Sequence, residues 1–170
     1  MSLRRVVLIR HAKAADGNVD VERALTNRGQ RDAAQIGAAL ARLEVAPDRV
    51  VVSPARRAGQ TWEHASAALP DSLAPVVDAR IYDNDLDALL DVIRHTPPDV
   101  QTVALVGHNP SIEELAHALD DEEGDAAART SLASGYPTSG VAVFTLPAPF
   151  ADVEPNCATL THFERPRDQR

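Results

Sequence analysis

The sequence holds a single cysteine, Cys157, which excludes an intramolecular disulfide and leaves no cysteine cluster for a metal. Positive charge is also short: 17 Lys and Arg stand against 25 Asp and Glu, a formal net charge of -8. Nucleic-acid binding depends on basic surface and counterion release, so it is not expected. No apolar run approaches the roughly 18 residues that a membrane span needs. The opening Met1-Ser2-Leu3-Arg4-Arg5-Val6 passes straight into a strand pattern, without the long apolar stretch and cleavage site of a secretory signal. A nucleotide P-loop, a dinucleotide fingerprint and a G-x-S-x-G elbow are all missing, which leaves kinase, dehydrogenase and serine hydrolase chemistry unsupported. A cytoplasmic location is expected, with chemistry confined to one local site.

What is present reads as one domain over residues 1–170, with 44% hydrophobic and 25% charged residues as in ordinary globular proteins. Strand-like runs at Val6–Ile9, Val50–Val52, Val76–Val77 and Val103–Val106 alternate with helical patterns at Asn27–Leu43, Pro54–Leu69, Leu86–Arg94 and Pro110–Leu119. Val141–Leu146 and Ala158–Phe163 follow as strands, the second as an antiparallel edge. The expectation is a three-layer α/β/α sandwich with a mostly parallel central sheet. Thr26, Ser53 and either Asn109 or Ser111 stand where helix N-caps belong, with Pro54 and Pro110 at first helical positions. The acidic run Asp120–Glu123 with Asp125 reads as a solvated loop, Thr130–Gly140 as a long loop at a site rim, and Glu164–Arg170 as a frayed tail.

In open α/β sheets ligands gather beyond the carboxyl ends of the strands. Three such ends carry reactive residues: Arg10-His11 after the first strand, Ser53 leading to Arg57 after the second, and Gly107-His108 after the fourth. A phosphoryl group in transfer spreads charge over three oxygens, so it calls for donors from several sides and an in-line nucleophile. Arg10, Arg57 and His108 supply donors. His11 supplies a ring nitrogen for a covalent phosphohistidine, provided the imidazole stays neutral and a backbone carbonyl holds its other nitrogen. His108 works best protonated, gaining its charge from the bound dianion.

Four segments, Leu8-Ile9-Arg10-His11-Ala12, Leu25-Thr26-Asn27-Arg28-Gly29, Ser53-Pro54-Ala55-Arg56-Arg57-Ala58-Gly59-Gln60-Thr61 and Val106-Gly107-His108-Asn109-Pro110, together resemble the histidine phosphatase superfamily in order and spacing. The resemblance spans residues 6 to about 119 and implies a phosphoglycerate mutase-like fold. It implies Arg10 and Arg57 as phosphate-binding arginines, His11 as the nucleophile and His108 as the second active-site histidine. Arg56 is the neighbouring competitor of Arg57, and Ala12 replaces the usual glycine. No cofactor and no metal are implied.

The length without insertions is similar to that of the minimal SixA-type phosphohistidine phosphatases, which implies an open pocket and a phosphorylated protein, such as a histidine-phosphotransfer domain, as partner. The nearest alternative is a small phosphorylated metabolite. Oxygen-ester members place a general acid after the third strand, where Arg80-Ile81-Tyr82-Asp83-Asn84-Asp85 offers Asp83 or Asp85 and no glutamate, Asp83 being the candidate. Asn18, in the loop after the nucleophile, is a further candidate for a phosphoryl oxygen or else a turn residue. Two other classes are weaker: a metal-dependent hydrolase using His108, Glu113 or Glu114, and His117, and a protein that binds phosphohistidine without turning it over.

Overall fold

The computed structural model describes residues 3–70 and 73–167. Its strands are β1 (Arg4–Arg10), β2 (Arg49–Val52), β3 (Val76–Val77), β4 (Thr102–Gly107), β5 (Val141–Leu146) and β6 (Thr159–Glu164). Its helices are α1 (Asn27–Arg42), α2 (Arg56–Ser66), α3 (Ala79–Tyr82), α4 (Leu86–Arg94), α5 (Ser111–Leu119) and α6 (Ala126–Ala133). A 3-10 turn, Asp20–Glu22, lies between β1 and α1.

The central strands are apolar and buried through Val6–Ile9, Val50–Val52 and Val103–Val106 because both of their faces are covered there. Successive strand side chains point to opposite sides, so Val6 and Leu8 pack with Leu89 and Ile93 of α4 and Ile112 and Leu115 of α5. Val7 and Ile9 pack the other way, against Ile36 and Leu40 of α1 and Trp62 of α2. The result is a three-layer sandwich around a six-stranded sheet of order β3-β2-β4-β1-β5-β6. β3, β2, β4 and β1 run parallel, whereas β5 is antiparallel to β1 and β6 to β5. β6 is thus the antiparallel edge strand expected, and β5 beside it is antiparallel to β1 as well. No helix among the described residues is long and apolar enough to cross a membrane.

Register places the chemistry. Arg10 pairs with Gly107 and Val52 with Val106, so β1, β2 and β4 end together and release Arg10-His11, Ser53 and Gly107-His108 at one edge. At the same edge Thr26 caps α1 by accepting from the Gly29 N–H at 2.9 Å. There the helix start meets the loop after β1 so closely that a Cβ on Gly29 would stand 2.1 Å from the Lys13 carbonyl oxygen. Gly29→Ala is therefore expected to destabilise the fold by about 1–3 kcal/mol, read by equilibrium unfolding, because backbone and not a flexible side chain would have to move. An unchanged unfolding midpoint would show that this contact is slack.

Several local expectations fail for identifiable reasons. α2 begins at Arg56, with Ala55 at its N-cap and no side-chain cap; Ser53 Oγ accepts from the Ala55 N–H at 3.2 Å, just before the helix, and also meets His108 as described below. Pro110 occupies the N-cap position of α5, while Asn109 Oδ1, one residue earlier, accepts from the Glu113 N–H at 3.2 Å. Part of the expected loop Thr130–Gly140 is helical: Asp125 caps α6 by accepting from Ala128 N–H, and Leu132 buries its side chain in the core. The acidic run is not merely solvated, since buried Asp120 accepts from Arg129 at 3.0 Å and Asp121 accepts from the Thr159 hydroxyl. Glu164 belongs to β6, and Arg165 donates to the Ser131 and Gly135 carbonyls, so the tail is held through that point. Residues 168–170 of the expected frayed tail lie outside the described residues.

Candidate active site

The loop after β1 is fixed from two sides. His11 N–H donates to the Gly107 carbonyl at 3.0 Å, and Ala12 N–H donates to Thr61 Oγ1 at 2.9 Å. Thr61 in turn donates its hydroxyl to the Arg57 carbonyl at 2.7 Å, tying the loop to the first turns of α2. His11 Nδ1 lies 2.8 Å from the Ala12 carbonyl oxygen. A carbonyl only accepts, so the proton of the neutral ring sits on Nδ1 and the lone pair on Nε2. Burial, and then Arg57, Arg10 and Arg23, push the His11 imidazole down to about 4, against the pull of the Ala12 carbonyl.

His108 is buried, with Nε2 2.8 Å from Ser53 Oγ and Nδ1 3.4 Å from Arg57 Nη2. A guanidinium only donates, so Nδ1 accepts and the proton lies on Nε2, donating to Ser53. Burial first, then His11 and Arg57, push His108 down to about 3, so this ring is neutral as it stands. The protonated role expected for it needs a dianion close enough to reverse that balance. The two rings lie with centroids 5.2 Å apart.

Arg57 is 6% exposed while Arg56 is exposed, which distinguishes the neighbouring arginines. Arg57 donates through Nη1 to the Asp20 carbonyl at 2.8 Å and through Nη2 to Asp20 Oδ2 at 3.1 Å. Arg10 donates through Nη1 to the Tyr136 carbonyl at 2.8 Å, and burial lowers its basicity. The buried Nε groups of both Arg10 and Arg57 have no protein acceptor.

A cavity of about 520 Å³ brings together Arg10, His11, Arg57 and His108 with Lys13, Ala14, Asp20, Arg23, Tyr82, Asn84, Asn109 and Thr138. Its four Lys and Arg against one Asp make it cationic inside a chain of net charge -8, a setting that attracts a phosphoryl dianion. Two sequence candidates are not brought in. Asn18 is exposed on the loop after β1 and does not line the cavity. Asp83, at the end of α3, is also exposed and outside it, while its neighbours Tyr82 and Asn84 line it.

Other residues escaped sequence reasoning. Asp20 accepts from the Tyr82 hydroxyl at 2.6 Å and from Arg23 at 3.2 Å, besides Arg57. The Tyr82 hydroxyl above all, then Arg23 and Arg57, hold the Asp20 carboxyl well below the usual carboxylate range. Ser53 carried a signal, its place directly after β2, but that place suited a helix cap equally well. Thr61 stands one turn along α2 from Arg57, the spacing that puts two side chains on one helix face.

Both histidines take up fewer protons folded than unfolded between about pH 4 and their ordinary 6.5. Stability therefore rises with pH across that window and is lost as pH falls through it. Unfolding titrations should show this slope, and His11→Ala should flatten it; an unaltered slope in the variant would mean the imidazole is not held neutral.

Among the described residues no group of three or more His, Cys, Asp or Glu is placed to hold a metal ion. The set suggested by His108, Glu113 or Glu114, and His117 accordingly does not converge.

A sequence model of the histidine phosphatase superfamily, branch 1, matches residues 6–89. An uncharacterized protein of Mycobacterium tuberculosis is 38% identical over 162 residues, covering 94% of this chain and 100% of the relative. Two solved structures assigned as the phosphohistidine phosphatase SixA are also similar. That from Nakamurella multipartitia is 28% identical over 98% of each chain with a TM-score of 0.84. That from Agrobacterium tumefaciens is 32% identical over 95% of this chain and 98% of its own, with a TM-score of 0.79.

Proposed function

Because the chain belongs to the histidine phosphatase superfamily, we propose that it hydrolyses a phosphohistidine borne on a protein, through a covalent phosphate on His11. The observation that carries this reading is the fixed tautomer of His11. With Nδ1–H held by the Ala12 carbonyl, Nε2 presents its lone pair beside Arg10, Arg57 and His108.

In the first step Nε2 attacks phosphorus while the substrate's P–N bond breaks on the far side and its imidazole, protonated on the other ring nitrogen, departs. Arg10 and Arg57 hold the equatorial oxygens, where charge is spread in the transition state. His108 joins them once the dianion draws a proton onto Nδ1, replacing its contact with Arg57 by a donated bond to a phosphoryl oxygen. Ser53 keeps Nε2 engaged throughout and so fixes the ring plane. The phosphorylated His11 ring is cationic, and its Nδ1–H bond to Ala12 O strengthens with that charge. Water then attacks phosphorus, the P–N bond breaks with its electron pair returning to Nε2, and the phosphate leaves carrying the protons of the water.

Two features support a protein-borne substrate. The mouth of the cavity is lined by exposed Lys13, Asp20 and Tyr82 rather than covered by a segment of chain, which leaves room for a folded partner. The similar structures from Nakamurella and Agrobacterium are assigned to that activity. The second reading, a small phosphorylated metabolite, draws on Lys13 and Arg23, which line the same cavity and suit a second anionic group on one molecule.

The test is hydrolysis of a phosphohistidyl protein beside a panel of phosphate esters, with chelator present. Selective loss of the P–N phosphate is expected. Strong preference for one small ester would transfer the chain to the metabolite reading.

A further inference from the structure

We propose that Asp20 is the proton-transferring catalytic residue of this site, stationed on the arginine that a phosphoryl group must take and released toward the leaving group when that group arrives. The inference rests on the covalent His11 route above and adds to it a residue from the turn between β1 and α1. Departure of an alkoxide, phenolate or imidazolate is slow unless a proton arrives with it. Among the described residues lining the cavity, Asp20 is the sole carboxylate, and Asp83 stands outside.

Its place is specific. Oδ2 lies 3.1 Å from Arg57 Nη2, the same nitrogen that lies 3.4 Å from His108 Nδ1. A carboxylate oxygen thus occupies the contact on Arg57 that a phosphoryl oxygen would claim. The Tyr82 hydroxyl, 2.6 Å from that oxygen, and Arg23, 3.2 Å from the other, secure the side chain at the mouth, where it is 51% exposed. His11 attacks from the strand ends and displacement is in line, so the leaving group points away from His11, toward the mouth.

Binding exchanges partners. The phosphoryl oxygens take Arg57, and the carboxylate loses a cation and gains a dianion beside it. Both changes raise its proton affinity, and it takes a proton from solvent at the mouth. In the first step the His11 Nε2–P bond forms, the bond from phosphorus to the leaving group breaks, and the Asp20 proton passes to the leaving atom. In the second step water attacks phosphorus and gives its proton to the Asp20 carboxylate. The P–N bond breaks with its electron pair returning to Nε2, and hydrogen phosphate departs with Asp20 again protonated. The net change is one phosphoryl group moved to one water.

Aryl phosphates of graded leaving group test this without the physiological substrate. Asp20→Asn should cost about tenfold or less in kcat on 4-nitrophenyl phosphate, whose phenolate leaves unaided, and about a hundredfold or more on phenyl phosphate. Asp20→Glu should restore part of the loss on phenyl phosphate, and thermal melting of both variants shows that each is folded. Equal losses on the two esters would overturn the proposal. So would unchanged kcat with tighter inhibition by inorganic phosphate, the mark of a residue that only competes for Arg57. Failure of the wild type on a phosphohistidyl protein removes the substrate reading and leaves this series intact; equal losses in the series remove the role of Asp20 and leave the substrate reading intact.

Discussion

His11→Ala is expected to lower turnover by at least about a thousandfold and to abolish acid-labile phosphate on the protein, while leaving the fold in place. A thousandfold corresponds to about 4 kcal/mol of lost transition-state stabilisation. That size follows from what the ring alone provides. Arg10, Arg57 and His108 can still bind and polarise a phosphoryl group in the variant, but the unprotonated Nδ1 of His108 is engaged by Arg57 and takes up a proton when the dianion binds, so no described lining residue replaces the nucleophile. The fold should survive because the structural duty of residue 11 is its backbone N–H on Gly107, which alanine keeps. The ring is also held neutral by burial, so its removal relieves a cost. Rapid acid quench with labelled substrate reads the phosphoenzyme, and equilibrium unfolding reads the fold. Undiminished turnover would end the nucleophile assignment, and turnover lost together with the fold would leave it without support from this variant.

The site was legible in the sequence where function rides on regular structure. Apolar runs that end in Arg10-His11 and Gly107-His108 declare a buried strand and its exit in the same few residues, and parallel register does the rest by aligning those exits. Thr26 was legible as a cap because capping is a local act between neighbours. Asp20 was not, since its bonds reach Arg57 and Tyr82 across 37 and 62 positions and it sits on a three-residue turn without periodicity. Ser53 shows a different failure: the residue was noticed as a cap, and its Oγ does accept from the Ala55 N–H just before α2, but its bond to His108 Nε2 depends on the approach of β4 and has no local signal. Asp83 was favoured by its place after β3, yet α3 turns its neighbours Tyr82 and Asn84 into the cavity and leaves Asp83 outside. Helix α6 was missed because Ser, Gly and Thr around residues 130–140 read as loop, while Asp125 as cap and Leu132 in the core override that composition.

Arg57→Ala should cost about a hundred- to a thousandfold in kcat/KM, the scale of losing one preorganised donor aimed at developing charge. Arg57 touches more of the site than any other cation there: Asp20 through two nitrogens, and His108 Nδ1 through one of them. Its loss therefore removes a phosphoryl contact and also leaves the Asp20 carboxylate and the His108 ring without the group that aligns them. Arg57→Lys should recover little, because one ammonium cannot meet the Asp20 carbonyl, its carboxylate and His108 together in the planar geometry that a guanidinium supplies. Stability should change far less than activity, since a buried guanidinium pays a desolvation cost that offsets much of what its bonds contribute. Arg56→Ala is the control: its side chain is exposed and absent from the cavity, so its kcat/KM should stay within about twofold of the wild type. Steady-state kinetics on one phosphorylated substrate read all three variants. A large loss in Arg56→Ala with little in Arg57→Ala would exchange the roles of the two arginines and break the link between Asp20 and the phosphoryl site.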